Sequence, residues 1–202
     1  LGLFYDIGAN YGIVSLAIAV AKPDCSILSI EPSSLCITGL CRTICSLNRS
    51  RWEVVKCALG TKDGEAVLIT SEDGQDAYGG LGNTRRISGQ VKHENVALKK
   101  LDSLWIERGR EKVDLIKIDV EGMEIDVLKG GEHLLASCRP YVLLEISRCN
   151  LLPLEKSHVE IIQFATDHGY RLLNAKTMEE AKSPDHLKHQ MIISEDFLMI
   201  PC

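Results

Sequence analysis

Phe4-Tyr5-Asp6-Ile7-Gly8-Ala9-Asn10-Tyr11-Gly12 is the stretch whose reading decides the fold. Leu3, Phe4 and Tyr5 suit the end of a buried strand. Gly8 to Gly12 make a loop, and a helix then runs apolar through Ile13, Val14, Leu16, Ala17, Ile18 and Val20 until Pro23 ends it. A strand-loop-helix turn sets backbone N–H groups and a positive helix end at the C-terminal edge of a parallel sheet. Open α/β sheets bind ligands at that edge. The loop is spaced Gly8-x-Asn10-x-Gly12, with Asp6 two residues before the first glycine. Dinucleotide binders use G-x-G-x-x-G, because their backbone must approach a pyrophosphate. A carboxylate beside the loop repels phosphate and suits an ammonium or sulfonium group. S-adenosylmethionine carries both, and also a carboxylate for the helix N-terminus. The alternative is a purely structural turn in which Asp6 caps backbone N–H groups.

Working outward, Ser26-Ile27-Leu28-Ser29-Ile30-Glu31-Pro32 reads as a second strand. Glu31 stands 19 residues after Gly12, where an acidic side chain commonly bonds ribose hydroxyls. A helix through Leu35 to Leu47 and a third strand, Trp52 to Leu59, complete the alternation of a doubly wound parallel sheet. From Thr61 to Lys112 the pattern changes. Ala66 to Thr70 and Val96 to Leu101 read as strands, with Gly79-Gly80-Leu81-Gly82-Asn83 as a mobile loop between them. This region is either an acceptor-side lid or a decorated hairpin.

Val113-Asp114-Leu115-Ile116-Lys117-Ile118-Asp119-Val120-Glu121-Gly122-Met123-Glu124 is the second informative stretch. A buried strand ends there with Asp119 and Glu121 at the same sheet edge. One helix follows, with its apolar face at Val127, Leu128, Gly131, Leu134 and Leu135, and Gly130 and Gly131 permit close packing on the sheet. Tyr141 to Ile146 gives a fifth strand, whose Glu145 is out of place in an apolar run and needs a partner or a function. A helix carrying Val159, Ile162 and Ala165 ends at Gly169. Tyr170–Leu173 and Phe197–Ile200 form a final hairpin across a polar loop.

Composition excludes several classes. The chain has 202 residues, enough for one domain with a substantial core, and 45% hydrophobic against 25% charged residues is ordinary for a globular protein. A net charge of −5 argues against nucleic acid as a general partner. The longest apolar run, Leu16 to Ala21, is too short for a bilayer. Eight cysteines contain no C-x-x-C pair. They read as buried thiols rather than a metal site, and a reduced, cytoplasmic protein is the default. No signal peptide is visible, and since the chain starts at Leu1, nearly inside a strand, a missing N-terminal segment is expected. The histidines read as solvated surface.

Together, Asp6-Ile7-Gly8-Ala9-Asn10-Tyr11-Gly12, Ser29-Ile30-Glu31-Pro32, Leu101-Asp102-Ser103-Leu104 and Ile116-Lys117-Ile118-Asp119-Val120-Glu121-Gly122-Met123-Glu124 resemble the FkbM family of class I S-adenosylmethionine-dependent methyltransferases. Val127-Leu128-Lys129-Gly130, Leu143-Leu144-Glu145-Ile146 and the closing Phe197-Leu198-Met199-Ile200-Pro201 extend the likeness almost to the end. The resemblance implies a Rossmann-like, seven-stranded, mostly parallel sheet in the order 3-2-1-4-5-7-6, strand seven antiparallel, flanked by helices. It implies one domain over residues 1–202 with an insertion at about 61–112. It also implies methyl transfer to a hydroxyl oxygen of a sugar or other small metabolite. By position, Asp6, Gly8, Ala9, Asn10 and Gly12 hold the methionine part, Glu31 and Pro32 the ribose, and Ala58 and Leu59 border the adenine. Asp119 lies nearest the methyl and, with Glu121 and Glu145, is a candidate base. The same three acids are alternatively a divalent-cation site; the expectation is no metal. The rival readings are a nicotinamide-dependent oxidoreductase and a non-catalytic S-adenosylmethionine-binding module.

Overall fold

The computed structural model describes residues 2–47, 50–71, 80–81 and 91–202. The central strand β1 (Leu3–Ile7) is buried along its whole length, as a strand covered on both faces by helices must be. Its side chains alternate between two cores. Leu3, Tyr5 and Ile7 join the larger one, while Phe4 joins a second built with Ala19, Leu40 and Trp52. The latter lies under α1 (Ile13–Ala21) and α2 (Ser34–Leu47). β2 (Ser26–Ile30) and β3 (Trp52–Val55) extend the sheet in parallel on one side of β1. After the short strand β4 (Ala58–Leu59) come β5 (Gly64–Ser71), β6 (Gly80–Leu81), β7 (Val91–Lys99) and α3 (Leu101–Glu107). The main sheet then continues through β8 (Leu115–Ile118), α4 (Glu124–Lys129), α5 (Glu132–Cys138) and β9 (Tyr141–Glu145). α6 (Arg148–Leu151), α7 (His158–Asp167), β10 (Tyr170–Asn174), α8 (Pro184–Gln190) and β11 (Asp196–Pro201) complete the chain.

The main sheet has the order β3-β2-β1-β8-β9-β11-β10. Counted along the chain within this sheet, that is 3-2-1-4-5-7-6, and the seventh strand is antiparallel to both neighbours. The expected order therefore holds. Between β3 and β8 a second sheet, β4-β7-β5-β6, is built almost wholly from the long antiparallel pairing of β5 with β7. It accounts for the change of pattern after residue 60. Of the expected loop at 79–83, only Gly80 and Leu81 are described, and they pair with β5.

Several local expectations are corrected, the first three by polar contacts across the fold. The third strand does not run unbroken from Trp52 to Leu59. The Val55 carbonyl accepts from Glu31 N at 3.1 Å, and the chain then leaves the main sheet to pair Ala58 with Leu98. The strand ending in Leu101 stops at Lys99, because the Asp63 carboxylate accepts from Lys100 N and Ser103 Oγ (both 2.7 Å) and starts α3 there. The single helix after Glu124 is two. Asp102 accepts from His133 N at 3.1 Å and Leu134 N at 2.8 Å, capping a new helix just past Gly130 and Gly131. These glycines pack against the Gly60 carbonyl and the Leu101 side chain rather than on the main sheet. The last hairpin encloses α8, whose Ser183 cap accepts from His186 N. In α7 the buried face is Ile161, Ile162, Phe164 and Ala165, and Val159 is exposed. Four cysteines, Cys25, Cys36, Cys57 and Cys138, are buried as small hydrophobes; Cys41, Cys45, Cys149 and Cys202 are not. Among the described residues, no helix is long and apolar enough to cross a membrane.

Candidate active site

The C-terminal edge of β1, β2, β8 and β9 opens into a cavity of about 510 Å³. Its floor is the β1–α1 loop. Gly8 N and Ala9 N both donate to Ile30 O, at 3.0 and 3.2 Å, which ties the loop to the end of β2. Gly8, Asn10 and Gly12 all have φ between 50° and 79°, the left-handed region that glycine enters freely and asparagine tolerates. At Gly8 a Cβ would overlap the Asp119 carbonyl oxygen, so the loop and the end of β8 are in backbone contact. At Gly12 it would strike Leu40. The N-terminal turn of α1, at Ile13 and Val14, borders the cavity beside the loop.

Glu31 is 7% exposed and lines the cavity. One carboxylate oxygen accepts from Asn10 N and the other from Ser33 N, both at 2.8 Å. Burial pushes its carboxyl above the ordinary value, while these two N–H donors and Lys117 pull the other way. A carboxylate offers about four lone-pair sites, so Glu31 keeps capacity for two further donors, as a ribose diol supplies. Pro32, Ala58, Leu59, Leu68 and Thr70 continue the wall, the last two from β5.

Asp119, Glu121 and Glu145 meet at the other end, with one oxygen from each within 4.8 Å of the others. Glu121 has φ 54°, a conformation costly for a glutamate. The buried Glu124 holds the turn in that shape by accepting from Val120 N at 3.2 Å and Gly122 N at 3.0 Å. Glu145 accepts from the buried Asn150 amide at 3.3 Å. Its pKa is pushed up to about 8, first by burial and then by Asp119, to which it hydrogen-bonds, and by Glu121. Such a carboxyl holds its proton near neutrality, and a second carboxylate stands beside it.

Two expected site residues do not line the cavity. Asp6 is fully buried beneath the loop, where one oxygen accepts from Ser15 Oγ at 2.5 Å and Ser15 N at 3.1 Å. Its place follows from strand period, since it faces the α1 side together with Phe4. Gly12 contacts Leu40 and Trp52 instead of the cavity. The other named positions, Gly8, Ala9, Asn10, Glu31, Pro32, Ala58, Leu59, Asp119, Glu121 and Glu145, all line it. The sequence reading missed Lys117 as a site residue, along with Leu68 and Thr70. Lys117 carried the same signal as Glu145, a charge inside a buried strand. Leu68 and Thr70 carried none, because only the tertiary fold brings β5 to this edge.

A strand order of 3-2-1-4-5-7-6 with a glycine loop and acids at the carboxyl edge defines a Rossmann-like methyltransferase fold. More narrowly, the family model described as "Methyltransferase FkbM domain" matches residues 6–172, and the chain belongs to the FkbM methyltransferase family. The chain is 30% identical over 155 residues to methyltransferase sdnD of Sordaria araneosa, with 63% of this chain and 60% of that protein covered. It is 26% identical over 145 residues to 2-O-methyltransferase NoeI of Sinorhizobium fredii, at 66% and 59% coverage. It thus spans about 60% of these relatives' length. The crystal structure of methyltransferase FkbM from Methylobacillus flagellatus KT superposes with a TM-score of 0.61 at 16% identity, over 98% of this chain and 43% of that one.

Proposed function

We propose that the cavity binds S-adenosylmethionine and that the chain transfers its methyl group to a hydroxyl oxygen of a sugar or other small metabolite. The observation that carries this reading is Glu31. It is a buried acid at the end of β2 with both oxygens already fixed by backbone N–H groups, beside a glycine loop without the dinucleotide spacing. Glu31 and Pro32 take the ribose, Gly8 to Asn10 and the α1 N-terminus the methionine part, and Ala58 and Leu59 the adenine. When bound, the cofactor supplies a methyl already made electrophilic by its sulfonium sulfur. The chain's own residues hold the acceptor in line, keep water out and remove the proton of the hydroxyl.

Asp119 is the proposed proton acceptor, with Glu145 and Glu121 beside it. As the acceptor oxygen bonds to the methyl carbon and the sulfur–methyl bond breaks, its proton passes to Asp119. The name of the NoeI relative favours oxygen as the target atom. Residues 1–202 act in this reading as one methyltransferase domain, in which the segment at about 61–112 is an insertion whose Leu68 and Thr70 continue the cavity wall beside Ala58 and Leu59. A cytoplasmic location and a small-molecule acceptor belong to the same reading. The test is release of S-adenosylhomocysteine when the chain is incubated with S-adenosylmethionine and a panel of hydroxylated small molecules. Asp119→Asn is expected to lower kcat at saturating cofactor by about 10²- to 10⁴-fold, the usual contribution of a positioned base. An unchanged kcat at saturating cofactor would remove Asp119 from the role.

Glu145 gives a second expectation. Its pKa is raised in the folded chain, to about 8 from an ordinary 4.5, so the folded state holds a proton that the unfolded state has lost. Stability from this group is therefore intact below pH of about 4.5 and declines as pH rises to about 8. Glu145→Gln, always neutral, is expected to flatten that decline and to raise Tm by roughly 2–4 °C at pH 9, taking about 1 kcal/mol for a partly exposed group. Melting curves from pH 4 to 9 check it; parallel profiles for both proteins would refute the assignment.

A further inference from the structure

Lys117 is the residue this site did not advertise. On parallel neighbouring strands, Lys117, Asp6 and Ser29 stand side by side in register, so all three project to the α1 face. The Lys117 side chain is 11% exposed and lines the cavity. An ammonium has three protons to place, and three acceptors surround it: Gly8 O at 3.1 Å, Asp119 Oδ2 at 3.1 Å and Asp6 Oδ1 at 3.6 Å. That Asp6 oxygen is buried and has no hydrogen-bond partner among the described residues, so Lys117 is its electrostatic counterpart. Burial works against the ammonium, but Asp6 and Asp119 outweigh it and hold its pKa above the ordinary value. Glu31 from β2 and Asp196 from β11 face it at longer range.

We propose that Lys117 is a positioning residue that couples the glycine loop to Asp119 and balances the charge of the methyl-donor end of the cavity. The proposal rests on the cofactor reading above. Without Lys117, Asp6, Asp119 and their neighbours would confront a sulfonium with uncompensated negative charge. Methyl transfer disperses the sulfonium charge, so a site that attracts it too strongly favours the ground state over the transition state. Lys117 limits that attraction while its other contacts fix the Asp119 carboxylate relative to the loop.

The charge role has a readout that a structural role lacks. S-adenosylmethionine and S-adenosylhomocysteine differ chiefly by the sulfonium methyl, so the ratio of their dissociation constants isolates the response to that charge. In Lys117→Met the preference for the cationic ligand is expected to rise about fivefold, the scale of one unit charge acting across a partly screened site. Lys117→Arg keeps the charge and is expected to keep the wild-type ratio. Asp6→Asn, nearly isosteric and leaving Lys117 less compensated, is expected to lower the ratio by a similar factor, and it carries the test alone if Lys117→Met does not fold. A merely structural Lys117 would weaken both ligands equally and leave every ratio unchanged, which would overturn the proposal. If the wild-type chain bound neither ligand, the cofactor reading itself would fall, a result distinct from unchanged ratios.

Discussion

Gly8→Ala is expected to abolish binding of S-adenosylmethionine and to cost about 3 kcal/mol or more of stability, the range reserved for severe steric and backbone faults. Two causes add. Gly8 has φ 73°, a left-handed conformation that costs a residue with a Cβ of order 1 kcal/mol or more. The added carbon would also overlap the Asp119 carbonyl oxygen. That neighbour is backbone, fixed by the parallel pairing of β1 with β8, and cannot swing aside as a side chain would. Relief requires displacing the loop, whose Gly8 N and Ala9 N are bonded to Ile30 O at the end of β2. The displacement would therefore reach Glu31 as well. Denaturant unfolding and ligand titration of the variant check both halves. A variant as stable as the parent would show that the loop does not touch β8 as described.

Glu31→Ala is expected to weaken S-adenosylmethionine binding by about 100-fold. Hydrogen bonds to a charged group are worth roughly 1.5–3 kcal/mol, and the substitution removes those proposed to the ribose. It also frees Asn10 N and Ser33 N, the backbone donors that Glu31 now satisfies, so the loop loses one of its ties to the end of β2. Glu31→Gln separates the effects. It keeps the volume but turns one accepting oxygen into a donor facing an N–H group, and an intermediate loss of about tenfold is expected. Titration calorimetry on folded variants measures this. Undiminished affinity in Glu31→Ala would remove the ribose assignment.

The main sheet was legible because its signals are local. A buried run into a glycine loop, an acid ending β2 and an acid pair ending β8 are each read within a short stretch of sequence, and the strand alternation orders them. The element boundaries that slipped were set by contacts distant in sequence. Asp63 starts α3 and Asp102 starts α5 from 37 and 31 residues away in sequence, while at the end of β3 the Val55 carbonyl accepts from the backbone N–H of Glu31. Capping by a distant carboxylate leaves no mark in the capped segment. Strand logic places Asp119, Glu121 and Glu145 at one edge, while the depth of Asp6 fits only the alternative reading in which it caps a backbone N–H group, here that of Ser15. Period 2 fixes its face, whereas only the register with Ser29 and Lys117 shows that this face is closed by Ser15. Lys117 escaped notice because a charge among Ile116 and Ile118 reads as an exception until its three acceptors are seen around it.

The central claim is that the cavity at the carboxyl edge of β1, β2 and β8 is an S-adenosylmethionine site. Isothermal titration of S-adenosylmethionine into the purified chain, with NADH titrated separately, tests it most directly. The account predicts saturable binding of one S-adenosylmethionine per chain with a micromolar Kd, and no heat from NADH. A folded chain that bound NADH, or that failed to bind S-adenosylmethionine at millimolar concentration, would contradict it.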